Sequence, residues 1–463
     1  MSARASSARR RRRAKRRGVA LIMVMATLTV MTVMVAEFQL DASSTYASAM
    51  AARDAMQAEY MARSAVNLTR LLVAAEPTLR AAIAPLFAFL KKTPPQLPVW
   101  EFADRLLAPF NDKETADGYA KTMGVDLSQA KNLGMPNGGF EIAVVDEDAK
   151  INANLGASND IAHIRIAKQL MGVMAPPQYN PLFEQRDTLG NFNDRMSICS
   201  EIIDWSDVDE SAFGCDVNQA APTSAGVEDA YYQLLTKPYR RKNAPYDSLE
   251  ELHQVRGVSD DFWSTFVDPD PTKPEKRVMT VWGQGAVNVN SANAQTLLGV
   301  VCSGAPTAEI CTDMAQAQLF LMGVTMARGI TMGAPLFGNA QDFISTMKGE
   351  GMLGPMLAKL GMKPVKFLSE SEFAKSITTE SKVFSMYAVG VVKGYKRDVR
   401  VRVHAVVDFR SAPALGGPTP AGGATPIGGT TPAAPPSTGG APDALKNALQ
   451  PSTGGAFVYY RID

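Results

Sequence analysis

The run VALIMVMATLTVMTVMVA, Val19–Ala36, has no charged side chain and is flanked very differently on its two sides. Ahead of it stand nine basic residues (Arg4, Arg9 to Arg13, Lys15, Arg16, Arg17) and then Gly18; the first acid after it is Glu37. At about 1.5 Å rise per residue the run makes a helix of roughly 27 Å, close to a hydrocarbon core of about 30 Å. The basic flank predicts that the N-terminus stays in the cytoplasm while the rest of the chain crosses the membrane. A secretory signal peptide has its small-residue cleavage site after the apolar core. Here the small residue, Gly18, precedes the core, and no Pro or Gly interrupts the chain from Glu37 to Ala75. A plain signal anchor is the simpler alternative. Apolar positions Met50, Ala51, Met56, Tyr60, Met61, Ala65, Val66, Leu68, Leu71 and Leu72 fall roughly on one stripe, expected to pack on the chain's own soluble part. The pattern predicts one helix of roughly 55 residues, with 19–36 in lipid and 37–76 beyond it.

The strand signals lie far downstream. Phe384–Val392 and Val399–Phe409 alternate apolar and polar residues around the turn Lys393-Gly394, which predicts a β-hairpin. FVYYRID at the C-terminus predicts a final strand over 456–463. The Gly-, Pro- and Thr-rich stretch 411–455 cannot bury a core and reads as a flexible linker. Upstream, GFEIAVVDEDAKINANLG alternates at Phe140, Ile142 and Val144. It then carries turn residues from Asp146 to Asp148 and a short run Lys150–Asn154, which predicts a second hairpin. A matching segment, RVMTVWGQGAVNVNSANAQTL, follows later in the chain.

Between these signals the chain reads as helical. Residues 80–137 are mixed, broken by Pro94, Pro95 and Pro98; Ile161–Met174 is a candidate helix, and another ends over Ser200–Trp205. SLEELHQVRGVSDDFWSTF, Ser248–Phe266, resembles a helix-hairpin-helix unit, with Ser248 and Glu251 as a capping box and Gly257 at the turn. DNA-binding forms use two glycines there; the second is Ser259 here, so the unit is expected to serve packing. Residues 292–361 are again helical.

Composition narrows the function classes. The 463 residues include 46% hydrophobic and 20% charged side chains, enough for more than one core. All nine charges of residues 1–18 are positive, so without them the formal +1 becomes −8, which argues against a nucleic-acid partner. The four cysteines, Cys199, Cys215, Cys302 and Cys311, fall on the far side of the membrane, where even numbers pair. Of three connectivities the local one, Cys199–Cys215 and Cys302–Cys311, is the simplest. Zinc would want C-x-x-C pairs, and there are none. His163, His253 and His404 stand apart, and no G-x-S-x-G, H-E-x-x-H or phosphate loop is present, so no enzyme is expected. DWSDVDE (Asp204–Glu210) and GVEDAYY (Gly226–Tyr232) gather carboxylates of the kind that Ca²⁺ takes, without EF-hand spacing; a solvated acidic turn is the alternative.

RRGVALIMVMATLTV resembles the prepilin signature of type IV pilins and type II secretion pseudopilins. The resemblance implies that a prepilin peptidase cuts after Gly18 and methylates the amine of Val19. The fifth mature residue in that family is usually Glu; here it is Met23. An ammonium among helices in lipid needs a carboxylate. In the filament each subunit's Glu serves the amine of the subunit above, so Met23 suits a position with nothing above it. Lack of this Glu marks the K-type minor pseudopilin. KINAN and AVNVN resemble motifs of that family. So do DW-x-D-x-D, the following G-x-E-D-x-Y-Y, Pro238-Tyr239 and SLEEL-x-x-VRGV, in order. This part of the resemblance implies Ca²⁺ held by Asp204, Asp207, Asp209, Glu228 and Asp229. The long stretch from Glu210 to Gly226, containing Cys215, departs from the family pattern.

The resulting expectation is an α+β fold, a pilin-like long N-terminal helix on an antiparallel sheet with a large, mainly helical insertion. Its parts are a basic leader (1–18), a transmembrane half-helix (19–36) and a periplasmic half-helix (37–76). The first part of the α/β domain (77–154), an inserted helical domain (155–361), the late strands (362–410), the linker (411–455) and the last strand (456–463) follow. The implied function is to cap and start the type II secretion pseudopilus for export of folded proteins. The implied partners are the I- and J-type minor pseudopilins, other pseudopilins and the prepilin peptidase, with contacts to the secretin or exported proteins. The chain would be a single-pass inner-membrane protein with its bulk periplasmic. The alternative is a minor type IV pilin for adhesion or motility; an enzyme on a signal anchor is a third reading.

Overall fold

The computed structural model describes residues 3–89, 93–111, 133, 137–184, 186, 190, 192–216, 230–235, 237–331, 333–351, 353–394, 397–413 and 454–463. One helix, α1, runs from Ala3 to Phe89. It is longer than the sequence pattern predicts because it does not stop at Pro77. The Glu76 carboxylate, buried beside that proline, accepts Leu97 N–H (2.9 Å) and pairs with Arg80 (3.3 Å), which also binds Glu380. These contacts carry the helix across the position where Pro removes a backbone donor. In the apolar half, Thr27 and Thr32 return their hydroxyls to the carbonyls of Met23 (3.1 Å) and Leu28 (2.7 Å), so neither stays unsatisfied in lipid.

The second half of α1 lies on a four-stranded antiparallel sheet, ordered β1 (Gly138–Asp146), β6 (Val383–Lys393), β7 (Asp398–Asp408), β8 (Ala456–Ile462). Met61, Ala62, Ala65, Val66 and Val73 of the helix form one core with Phe140, Ile142, Phe384, Met386, Val403, Ala405 and Val407. The buried stripe is rotated from the expected one: Met56, Tyr60 and Leu71 face solvent, and the small residues Ala58 and Ala62 face the sheet. Gly390 explains why. A Cβ there would lie 1.8 Å from the Ala58 carbonyl oxygen, so helix backbone and strand approach through two small residues.

β6 and β7 form the expected hairpin, in register from Val383↔Asp408 to Lys393↔Asp398. β8 pairs with β7 as the terminal strand. The expected hairpin around Asp146–Asp148 does not form. β1 pairs with β6 instead, and the chain leaves it for β2 (Ile151–Asn152), which runs parallel to β3 (Met279–Thr280). The acidic triplet is the reason. Glu147 N–H binds the Val383 carbonyl (3.0 Å), and the Asp148 carboxylate accepts Gln284, Lys382 and Val383 N–H. Glu147 itself, buried, binds Lys150 Nζ (3.0 Å) and the Thr280 hydroxyl. The turn residues serve as a knot between distant stretches.

The insertion has its own core and two halves of similar design. Each half begins with an N-x-N sequence, Asn152–Asn154 or Asn288–Asn290. In each, the first Asn side chain accepts the second Asn N–H at 2.9 Å. β4 (Val287–Asn288) pairs in parallel with β5 (Ile377–Thr378), as β2 does with β3. A helix follows each N-x-N: α2 (Asp160–Met174), capped by Asn159, and α4 (Ala294–Gly304), capped by Asn293. α2 and α4 cross at Gly172 and Gly299, where a Cβ on Gly172 would sit 2.2 Å from the Gly299 carbonyl oxygen. Each half adds a second helix, α3 (Arg195–Asp204) or α5 (Met314–Thr331), and a shorter capped one, Leu249–Gln254 or α6 (Ala340–Met347). The linker 414–453 and the segments 112–132 and 134–136 lie outside the described residues.

Candidate functional site

The acidic turn grows from the C-terminal end of α3. Asp194 caps the start of that helix through Ser197 N–H (2.7 Å), and a disulfide ties Cys199 to Cys215 with a Cα separation of 6.0 Å. Asp204 and Asp207 are both buried, 3% exposed, while Asp209 faces solvent and binds Ser211 N–H (2.7 Å). Asp204 Oδ1 accepts Phe213 N–H (2.8 Å), and Arg241 Nη1 donates to the Asp204 carbonyl (2.6 Å). Asp207 Oδ1 is buried and has no hydrogen-bond partner among the described residues. Burial lifts the Asp204 carboxyl to about 8, with the charges of Asp207 and Glu201 adding to the rise against Phe213 and Arg241. Burial and the neighbouring Asp209 lift Asp207 to about 7. Desolvation that outweighs the nearby Arg241 has this effect on carboxylates.

An aromatic wall holds the turn. Trp205 packs edge-on against Tyr232 (5.7 Å between centroids) and Tyr239 (6.2 Å). The Tyr232 hydroxyl donates to Glu201 (2.9 Å), and the Tyr246 hydroxyl donates to the Ile202 carbonyl (2.7 Å). Two close carboxylates with an orphaned oxygen and oxygen-only chemistry fit a hard cation better than a soft one. Among the described residues no three cation-ligating side chains gather, and Glu228 and Asp229 lie outside those residues. Arg241, Glu201 and Tyr232 complete the polar wall. The sequence alone singles out none of them, because their partners are remote in the chain.

The other predicted positions lie elsewhere. Gly18, Val19 and Met23 stand on the exposed apolar half of α1, with no neighbour near Gly18. The second disulfide, Cys302–Cys311, joins α4 to the short helix Glu309–Thr312. His163 packs against Phe213, His253 stacks on Trp263, and His404 stacks on Tyr387 in three separate places. The helix-hairpin-helix-like unit turns Leu249, Leu252, Val258, Phe262 and Phe266 into the core; Ser248 and Glu251 form its capping box, and Gly257 sits at φ +82°.

A long N-terminal helix whose apolar half is free and whose other half lies on an antiparallel sheet defines a pilin-like protein with a single-pass membrane anchor. Residues 189–266, which hold the acidic turn and the capped unit, match the family described as type II secretion system, protein K. That match assigns this part of the chain, 78 of the 463 residues, to the type II secretion system protein K family. Among solved structures it is similar to a chain of the GspK-GspI-GspJ complex of enterotoxigenic Escherichia coli, at 14% identity and a TM-score of 0.35, covering 59% of this chain and 76% of that one. No curated protein matches it.

Proposed function

We propose that the protein caps the tip of the secretion pseudopilus and starts its assembly with the I- and J-type minor pseudopilins. Met23 carries this reading. Fifth from Val19 in a charge-free run, it offers no carboxylate to the amine of a subunit above. The prepilin peptidase would release residues 1–18 and methylate Val19, leaving the bulk of the chain in the periplasm, anchored in the inner membrane. The role is structural, not catalytic. Gold-labelled filaments should carry wild-type label at one end only, and Met23→Glu should place some label along the shaft. Label along wild-type shafts would overturn the assignment, and a normal mature mass from Gly18→Leu would overturn the processing site.

Ca²⁺ belongs to the same reading. Asp204, Asp207 and Asp209, with Glu228 and Asp229, would hold it, and the ion would neutralise carboxylates that otherwise repel. A ligand bound only by the folded state adds about 2.7 kcal/mol at a hundredfold excess over Kd. Chelation should therefore lower the melting temperature, Ca²⁺ should restore it better than Mg²⁺, and Asp207→Asn should shrink the difference. An unmoved melting curve, with no metal found by elemental analysis, would leave a solvated acidic turn.

A further inference from the structure

The sheet has two edges among the described residues, and they are finished in opposite ways. At β1 the Asn111 side chain takes both free backbone groups of Phe140: its Oδ1 accepts Phe140 N–H (2.7 Å) and its Nδ2 donates to the Phe140 carbonyl. That edge is closed at its centre. Among the described residues β8 has no such cover. Arg402 and Asp463 exchange both backbone hydrogen bonds (3.0 and 2.9 Å), so by antiparallel alternation Arg461 and Tyr459 also face β7. The N–H and C=O groups of Tyr460 and Ile462 then point away from the sheet. The strand AFVYYRI contains no Pro, no Gly and one charge, which is not how an edge is protected.

The side chains along this edge specify what it would accept. Phe457, Tyr460 and Ile462 pair with Val407, Ala405 and Val403, whose side chains face α1, so they lie on the helix side of the sheet. They are 44%, 40% and 39% exposed, with the Arg70 guanidinium over the Phe457 ring at 4.1 Å. On the opposite face Arg400 and Arg402 of β7 share the sheet surface with Arg461 of β8; the register sets Arg461 against His404 and Asp463 against Arg402. Arg402 is exposed and has no ion pair among the described residues; Arg400 reaches only Glu141 (3.6 Å), and Arg461 pairs with Asp463 (2.7 Å). This basic strip lies on a chain whose formal charge is −8 without residues 1–18.

We propose that β8 is a docking edge that takes one extended segment of a partner protein as a fifth strand, with apolar residues on the helix side alternating with acidic residues on the arginine side. Main-chain hydrogen bonds would supply the binding, and cross-strand pairs would set the register. A second copy of β8 is a poorer occupant. A copy of the strand brings Arg461 to the arginine face, against the charge complementarity that the strip asks for.

The test uses the full chain in detergent and a fluorescent peptide, acetyl-VEVEVEV-amide, with acetyl-VVVEEEV-amide as control, read by anisotropy up to about 1 mM. The alternating peptide should bind saturably and the control should not. Tyr460→Pro removes an outward N–H and no hydrogen bond to β7, so β8 should keep its amide protection while peptide affinity falls roughly tenfold or more. Arg461→Glu should favour acetyl-VKVKVKV-amide instead. No saturable binding by the folded wild type, or equal binding of the control, overturns the proposal. Self-association that Tyr460→Pro abolishes would make a second copy the occupant and overturn the stated partner.

Discussion

Asn154 and Asn290 occupy matching positions in the two halves of the insertion and perform the same task. Asn154 accepts Tyr246 N–H (2.6 Å) and donates to the carbonyls of Tyr246 (3.0 Å) and Val281 (2.7 Å). Asn290 accepts Leu336 and Phe337 N–H (3.1 and 3.0 Å) and donates to the Phe337 carbonyl (2.9 Å). Each fastens the loop that leads into a short capped helix. The halves differ in what they enclose. The first surrounds Glu201, Asp204 and Asp207 with tyrosines and Arg241. The second surrounds an apolar cavity of about 60 Å³ lined by Phe320, Phe343, Met347, Met356 and Met362 among others. One scaffold therefore supports either a polar, acidic centre or a soft apolar one, because the asparagine clamps fix the loops whatever fills the space between them.

If the clamps are the shared element, removing either should have the largest effect. Asn154→Ala or Asn290→Ala strands three backbone groups, at about 1 kcal/mol or more each, so each should destabilise the chain by about 3 kcal/mol or more. Urea unfolding of the purified protein would measure it, with hydrogen exchange showing which half opens. A loss below about 1 kcal/mol in either would mean that the two clamps are not equivalent. The helix crossing comes next. Gly172→Val drives side-chain atoms into the Gly299 backbone and should destabilise by about 3 kcal/mol. Gly323→Ala, within α5 of the second half, meets only Leu357 at 3.6 Å and should be neutral or stabilise by up to about 1 kcal/mol. Equal losses in both would refute the crossing as the tight point.

Much of this architecture was legible in the sequence, and the exceptions share a cause. α1 announces itself by an apolar run without breakers, and β6–β7 by strict alternation across a short turn. Both are local signals. The pairing of β1 with β6 joins residues 138–146 to 384–392, and no local pattern encodes it. The N-x-N repeat was visible as two matching segments. That its second asparagine clamps a loop some 46 residues further on (Asn290 to Leu336) was not. At the candidate site the acids Asp204, Asp207 and Asp209 could be read directly. The burial of the first two, and Arg241 beside them, could not, because burial depends on the aromatic wall that the fold assembles around them.

The disulfides probe the comparison more gently. In the chain-entropy view, opening Cys199–Cys215, 16 residues apart, removes about 3 kcal/mol, and opening Cys302–Cys311, 9 apart, about 2.5 kcal/mol. Paired Cys→Ser variants should thus weaken the two halves almost equally. Only the first should also weaken any response to Ca²⁺, since Cys215 lies just beyond Phe213, whose N–H Asp204 holds. A Ca²⁺ response that drops in both variants would break the separation of the halves.

The smallest effect concerns the knot where the second half meets the sheet. Asp146 is buried; its carboxylate accepts the hydroxyls of Ser291 and Ser381 and the N–H of Asp148 (2.9 Å). Burial, with the charge of Asp148 adding to it, raises Asp146 from 3.8 to about 7; burial raises Asp148 to about 6 against its backbone donors. A carboxyl whose folded value is raised holds its proton more tightly when folded. Its stabilising contribution is therefore complete below about pH 4 and is lost as pH climbs through about 7. For one such group the slope between pH 6 and 7 is about 1 kcal/mol. In chelator-containing buffer, wild-type stability should fall over that range, and Asp146→Asn, which imitates the neutral form, should flatten the fall. Ser291 follows Asn290 directly, so the quickening of hydrogen exchange that Asp146→Asn abolishes should fall at 287–291 and 381–383 and not at 199–215, where Asp207, raised to about 7, titrates over the same range in both proteins. Stability that rises from pH 6 to 7 would mean that Asp146 is ionised in the folded chain, and the knot would then need a positive partner that the described residues do not supply.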